Sequence, residues 1–139
     1  MSIMASVIAL GFLSLQPPVA AGSPPRLSTV SISNADYPPA AVRRREQGDV
    51  VIRFTVTARG GVADCTAEQS SGSAALDEQS CAIWRRRARY VPATGADGGA
   101  VAQAATQVFA WRIGAPCPPG GPGRICITAS RRQPVMGRN

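Results

Sequence analysis

The chain has 139 residues and a formal net charge of +7, and its basic residues are all arginines because the sequence contains no lysine and no histidine. A chain of this length normally forms one domain with a modest core. Without lysine or histidine the serines lack the usual base that activates a nucleophile, and histidine metal sites are excluded. We therefore expect neither an enzyme nor a bound cofactor.

Residues 1–21 have the features of a signal peptide. An apolar run at 3–15 is followed by a proline pair and small residues, with Val19 and Ala21 at positions −3 and −1 of a cleavage site. The run is shorter than the roughly 20 apolar residues of a spanning helix. The sequence predicts export with cleavage after Ala21, and an uncleaved inner-membrane anchor remains the alternative.

Four cysteines in a small exported chain are typical of two disulfides. Their separations of 16, 36 and 9 residues include no short C-x2-C pair, so no metal site is predicted. Three pairings are possible for four cysteines. We expect Cys65 with Cys81 and Cys117 with Cys126, because each pair closes a short local loop, and we expect no free thiol.

The first half of the chain predicts a linker, a helix and a hairpin. Residues 22–35 contain prolines and show no sustained period, as in a linker or a leading edge segment. Asp36 and the following prolines begin a short helix at about 38–47. From Asp49 apolar residues recur at every second position, and a glycine turn leads to a second strand at about 62–70.

The second half predicts a helix at about 74–89 and a long third strand at about 100–113. Three serines before the helix can cap it, and arginines lie in its last turn. Pro92 prevents continuation, and residues 93–99 form a loop. Residues 114–139 are too rich in proline and glycine for regular structure and end in a basic tail.

Together these elements predict an α+β domain at 36–113, a small three-stranded antiparallel sheet with two helices packed on one face. The order is helix, strand, strand, helix, strand. With the first strand central, the second and third strands flank it. The third strand is then an edge, and its backbone donors and acceptors are free to pair with another chain.

Five ordered blocks within 36–113 resemble the TonB C-terminal domain family. They are Tyr37-Pro38 with Ala41, Gly48 to Val56 with Gly60-Gly61-Val62, Ser70-Ser71-Gly72 with Leu76-Asp77, Arg87 to Ala93, and Trp111-Arg112. The resemblance implies a periplasmic domain. Complete energy transducers of the family also have a membrane helix with a histidine and a long Pro-rich spacer. This sequence has no histidine, and residues 22–35 are much shorter than such a spacer. We therefore expect a free-standing TonB-like domain.

The resemblance also implies how the domain works. In the family, an extended segment of an outer-membrane TonB-dependent transporter adds to the sheet along its last strand and supports energised transmembrane transport. Here the expected peptide-binding edge consists of Gln103, Ala104, Ala105, Thr106, Gln107, Val108, Phe109 and Ala110. The alternative is a structural envelope protein that self-associates, for example as a homodimer, or scaffolds through the same edge.

The arginine-rich run at 84–90 has two interpretations. It could bind the phosphates of nucleic acid, but nucleic acid is a poor partner for an exported chain. Basic residues at the C-terminal end of a helix complement its dipole, and we favour that explanation. Membrane contact is expected only through an uncleaved N-terminus or through the basic tail, which contains Arg131, Arg132 and Arg138.

Overall fold

The computed structural model describes residues 22–117, 119 and 123–131. The predicted signal peptide at 1–21 and the last part of the predicted basic tail, 132–139, lie outside this range. Within it, no helix is both long enough and apolar enough to cross a membrane.

Eight strands, two α-helices and one 3-10 turn make up the described fold. In chain order they are β1 Arg26–Thr29, the 3-10 turn Asn34–Asp36, α1 Pro39–Arg43, β2 Gly48–Val56, β3 Val62–Gln69, α2 Ala74–Arg87, β4 Arg89–Val91, β5 Ala93–Thr94, β6 Ala100–Val101, β7 Gln103–Ile113 and β8 Arg124–Ala129. The main sheet has the strand order β3-β2-β7-β8. Two small ribbons, β1 with β4 and β5 with β6, complete the pairing.

The central strand β2 has the predicted alternation. Val50, Ile52, Phe54 and Val56 are buried, while Arg53 between them is exposed. β3 and β7 both pair antiparallel with β2, on its two sides. The predicted placement of the first strand between the second and third is therefore confirmed.

Both helices contribute to one core against the sheet. α1 adds Ala41, and α2 adds Leu76, Ile83 and Trp84 to the buried residues of β2 and β7. Ser73 caps α2 by accepting a hydrogen bond from the Leu76 amide at 3.3 Å. The aromatic rings meet mostly edge to face, as in the pair Trp84 and Phe109 with 5.4 Å between centroids.

The sheet has a fourth strand, so the predicted three-stranded sheet is incomplete. The expectation that 114–139 contains no regular structure is wrong for 124–129, which forms β8 parallel to β7. Ile127 and Ala129 alternate into the core, at 1% and 6% exposure. The apolar alternation of β8 is short and lies beside prolines and glycines, so it is hard to recognise in the sequence. The hydrogen bonds that stabilise β8 come from β7.

Several element boundaries also differ from expectation. Residues 22–35 contain β1 and the first two residues of the 3-10 turn, and β1 pairs with β4. α1 ends at Arg43 because Arg45 has a φ of 55°, which an α-helix cannot continue through. The expected loop at 93–99 is the hairpin between β5 and β6, and β7 begins at Gln103. Both expected disulfides, Cys65–Cys81 and Cys117–Cys126, are present.

Candidate functional site

The outer edge of β7 is divided into two parts. Residues 103–107 pair with β2 on one side, and no strand of the described chain pairs with them on the other. Beyond Gln107, each residue of β7 from Val108 to Ile113 has a β8 partner. The free part is therefore limited to residues 103–107.

Two hydrogen bonds indicate which backbone groups face this edge. Ile113 directs its N–H toward the β2 side, where Gln47 Oε1 accepts it at 3.2 Å. Gly114 directs its N–H toward β8, where the Ala129 carbonyl accepts it at 2.8 Å. Because successive residues of a strand alternate in direction, the N–H and C=O groups of Ala104 and Thr106 face the free edge.

The eight residues expected at the peptide-binding edge fall into two groups. Gln103, Ala104 and Thr106 are exposed, Ala105 is half-buried against the core and Gln107 is 9% exposed. Val108, Phe109 and Ala110 lie opposite Arg124, Ile125 and Cys126 of β8. The expectation that β7 is an edge along its whole length is thus wrong for these three positions, because a segment remote in sequence covers them.

The opposite edge of the sheet, β3, is less regular. Its pairing with β2 shifts register twice, and Asp64 has a φ of 53°. Glu68 on β3 forms an exposed ion pair with Arg53 at 3.8 Å. Irregular register and charged side chains are the features by which edge strands avoid pairing. The free part of β7 has uncharged side chains and no register shift against β2.

An acidic residue on the solvent face connects three strands. Asp49 of β2 accepts from Arg112 of β7 at 2.6 Å and from Arg124 of β8 at 3.2 Å. Gln107 adds a second link, because its Nε2 donates to the Gly123 carbonyl at 2.6 Å. Sequence reasoning missed both contacts. Asp49 is the one acid of β2, but its partners become evident only from the strand register.

The serines before α2 make local contacts at the start of this helix. Ser70 and Ser71 donate from their hydroxyls to the Asp77 carboxylate at 2.5 and 2.8 Å, and the Ser71 amide donates to it at 2.9 Å. Within the described ranges, no three cysteine, aspartate or glutamate residues are grouped so that they could hold a metal ion.

Among the described residues, the groups with displaced pKa values are two tyrosines with structural roles. Burial raises the pKa of Tyr37 to about 12, against the lowering effect of Arg112. Burial also raises the pKa of Tyr90, and the neighbouring Trp84 side chain acts in the opposite, lowering direction. Tyr37 donates to the Glu46 carbonyl at 2.5 Å and contacts Trp111 edge to face. Neither displacement makes an acid or base suited to neutral pH.

A protein-family model matches more than half of the chain. The model of the C-terminal domain of Gram-negative bacterial TonB proteins matches residues 33–113. A solution NMR structure of the Pseudomonas aeruginosa TonB C-terminal domain is similar with a TM-score of 0.48 and 22% sequence identity, covering 63% of this chain and 85% of that chain. No curated protein matches. The family match ends with β7 at residue 113, so β8 lies beyond it.

Proposed function

This chain belongs to the family of Gram-negative TonB C-terminal domains, and we propose that it is a periplasmic module that binds an extended segment of an outer-membrane TonB-dependent transporter. The segment adds to the main sheet as a further strand next to β7. Through this contact the module supports energised transport across the outer membrane. Domains of this family are interaction modules and not enzymes.

The open backbone of residues 103–107 is the observation that carries the proposal. The outward N–H and C=O groups of Ala104 and Thr106 can form ladder hydrogen bonds with an incoming peptide, each contributing about 0.5–1.5 kcal/mol net. The side chains of residues 103–107 carry no charge, so no like-charge repulsion or buried charge opposes a partner strand here. β3, with its register shifts and its ion pair, offers no such stretch.

Two further features support the assignment of the compartment and the mechanical role. Two disulfides within a small domain fit the oxidising periplasm. Cys65 lies on β3 and Cys81 on α2, so their bond fastens the helix to the sheet. A module that transmits a pulling force through an added strand must keep its sheet intact, and this disulfide strengthens it.

A titration followed residue by residue tests the proposal. A synthetic peptide from the N-terminal segment of a TonB-dependent transporter is added to the disulfide-intact protein, and backbone amide shifts are recorded. We expect the largest shifts at 103–107, with much smaller ones along β3. The same measurement on size-fractionated protein establishes whether binding involves a monomer.

Matched variants distinguish strand addition from other binding. Thr106→Pro removes an N–H that faces the free edge and is not used by β2, so the fold should persist while peptide binding is lost. Ala104→Lys places a charge at the same edge and provides a second variant if the proline disturbs folding. Ala67→Lys on β3 is the control and should bind like the parent protein.

Two results would count against this function. Undiminished binding by both edge variants would mean that the peptide contacts another surface. A stable dimer that shields 103–107 and ignores the peptide would instead support the structural envelope protein, which self-associates through this edge.

A further inference from the structure

β8 already occupies the second half of the edge that strand addition uses. Its six residues pair in parallel and in continuous register with Val108 to Ile113 of β7. A strand added to β7 on this side would need the same outward N–H and C=O groups. Over residues 108–113 those groups belong to the chain itself.

Two side chains of β8 are part of the core. Ile127 is 1% exposed and Ala129 is 6% exposed, and both belong to the main apolar cluster. Full burial of an isoleucine side chain contributes about 1.5–3 kcal/mol. Detaching β8 would expose these residues, so a peptide cannot replace β8 without that cost.

Polar contacts hold the start of β8 beside the end of the free edge. Gln107 donates to the Gly123 carbonyl at 2.6 Å, and Arg124 pairs with Asp49 at 3.2 Å. The disulfide from Cys117 to Cys126 ties the middle of the strand to the segment that follows β7. Together these contacts fix the boundary between free and covered edge at Gln107.

The far side of β8 is also partly blocked. Asn34 in the 3-10 turn accepts from the Thr128 amide and from the Thr128 hydroxyl, both at 3.3 Å. An edge amide that already has a partner is not available to an added strand. Stacking a peptide outside β8 is therefore disfavoured, and residues 103–107 remain the open stretch on this side of the described sheet.

We propose that β8 is an internal cap that restricts strand addition to a slot at residues 103–107. The inference rests on the function proposed above and defines its partner. At about 3.3 Å per residue, the slot accepts about five paired residues of an extended peptide. A peptide side chain on the core face would lie beside half-buried Ala105 and should be apolar, whereas one on the other face would lie beside exposed Ala104 or Thr106 and can be polar.

Peptide length provides the test. Two transporter-derived peptides, one of about five residues and one of about eleven that matches all of β7, are titrated into the disulfide-intact protein. If β8 restricts strand addition, the two peptides should bind with affinities within about twofold of each other. The longer peptide finds no further free backbone groups to pair with. Amide shifts from both peptides should stop at Gln107, and the amides of Ile125, Ile127 and Ala129, which face β7, should exchange slowly with both peptides bound.

An uncapping variant provides the complementary arm. The double variant Cys117→Ser with Cys126→Ser removes the disulfide that tethers β8 and leaves the core side chains in place. In this variant the longer peptide should bind with about tenfold higher affinity than the shorter one. Cys65→Ser with Cys81→Ser, which removes the other disulfide, is the matched control and should show no such gain. If hydrogen exchange shows that β8 stays docked in the first variant, Ile127→Asn detaches it.

The outcomes separate the cap from the function on which it rests. Tighter binding of the longer peptide to the disulfide-intact protein, with shifts through 108–113 and release of β8, would overturn the cap and keep the function. Absence of any length-dependent gain once β8 is detached would also overturn the cap. If neither peptide binds to the disulfide-intact protein or to the variant with β8 detached, the proposed function is wrong. The proposed slot at residues 103–107 is then wrong too.

Discussion

The indole Nε1 of Trp111 on β7 donates to the hydroxyl oxygen of Ser80 on α2 at 3.0 Å, and both residues are fully buried. Ser80 in turn donates to the Leu76 carbonyl at 2.8 Å. We predict that Ser80→Ala lowers the free energy of unfolding by about 1–3 kcal/mol, because the indole N–H is left without a partner in the core. Urea denaturation of both proteins measures the difference.

A double-mutant cycle identifies the cause of that loss. Trp111→Phe removes the N–H donor, so Ser80→Ala should cost much less in that background than in the parent protein. An equal cost in both backgrounds would show that the hydrogen bond between the two residues does not account for the effect.

The alternating apolar positions of β2 and the capped helix α2 could be predicted because each depends on residues close in sequence. Strand β8 could not. Its period covers only six residues beside prolines and glycines, and its hydrogen bonds come from β7. Whether a strand is an edge depends on every segment that could cover it, so the closure of 108–113 becomes evident only in the folded chain.

The contacts between Asp77 of α2 and the serines before this helix provide a second prediction. Its carboxylate accepts from the Ser71 amide at 2.9 Å and from the hydroxyls of Ser70 and Ser71. Asp77→Ala should lower the free energy of unfolding by about 1–3 kcal/mol, because charged acceptors at a helix N-terminus form strong hydrogen bonds. Thermal unfolding followed by circular dichroism provides the measurement.

Glu78→Ala is the matched control for Asp77. Glu78 is the next residue of α2, is exposed, and makes no hydrogen bond or ion pair with the described part of the chain. The substitution Glu78→Ala removes the same charge from the same helical turn as Asp77→Ala. It should change the free energy of unfolding by no more than about 0.5 kcal/mol. Similar losses for the two variants would mean that helix charge, and not the serine contacts, determines stability.

The two disulfides should differ in their resistance to reduction. Cys117 is exposed, whereas Cys81 is only 6% exposed and lies among core residues. A thiolate reductant must reach a sulfur atom, so the Cys117–Cys126 bond should open first under native conditions. Thiol labelling with mass spectrometry at increasing reductant checks the order. Before reduction no thiol should be labelled, since all four cysteines are paired, and two reactive thiols in the untreated protein would contradict this.

The raised pKa of Tyr37 predicts that the protein loses stability at alkaline pH. Burial raises its pKa from 10.0 to about 12, with Arg112 lowering it and Glu46 raising it to lesser extents. Between these two values the unfolded chain has lost the phenolic proton while the folded chain keeps it, so the free energy of unfolding falls as pH rises. The loss should reach about 2–3 kcal/mol by pH 12 and should be absent below pH 10.

Denaturation at a series of alkaline pH values, with tyrosinate absorbance recorded in parallel, measures this dependence. Tyr37→Phe should be less stable than the parent at neutral pH by about 1 kcal/mol, because the hydrogen bond to the Glu46 carbonyl is lost. Its stability should then fall less steeply above pH 10. A smaller slope remains in this variant because burial also raises the pKa of Tyr90. If the parent and the variant lose stability in parallel, the proton on Tyr37 is not what links folding to alkaline pH.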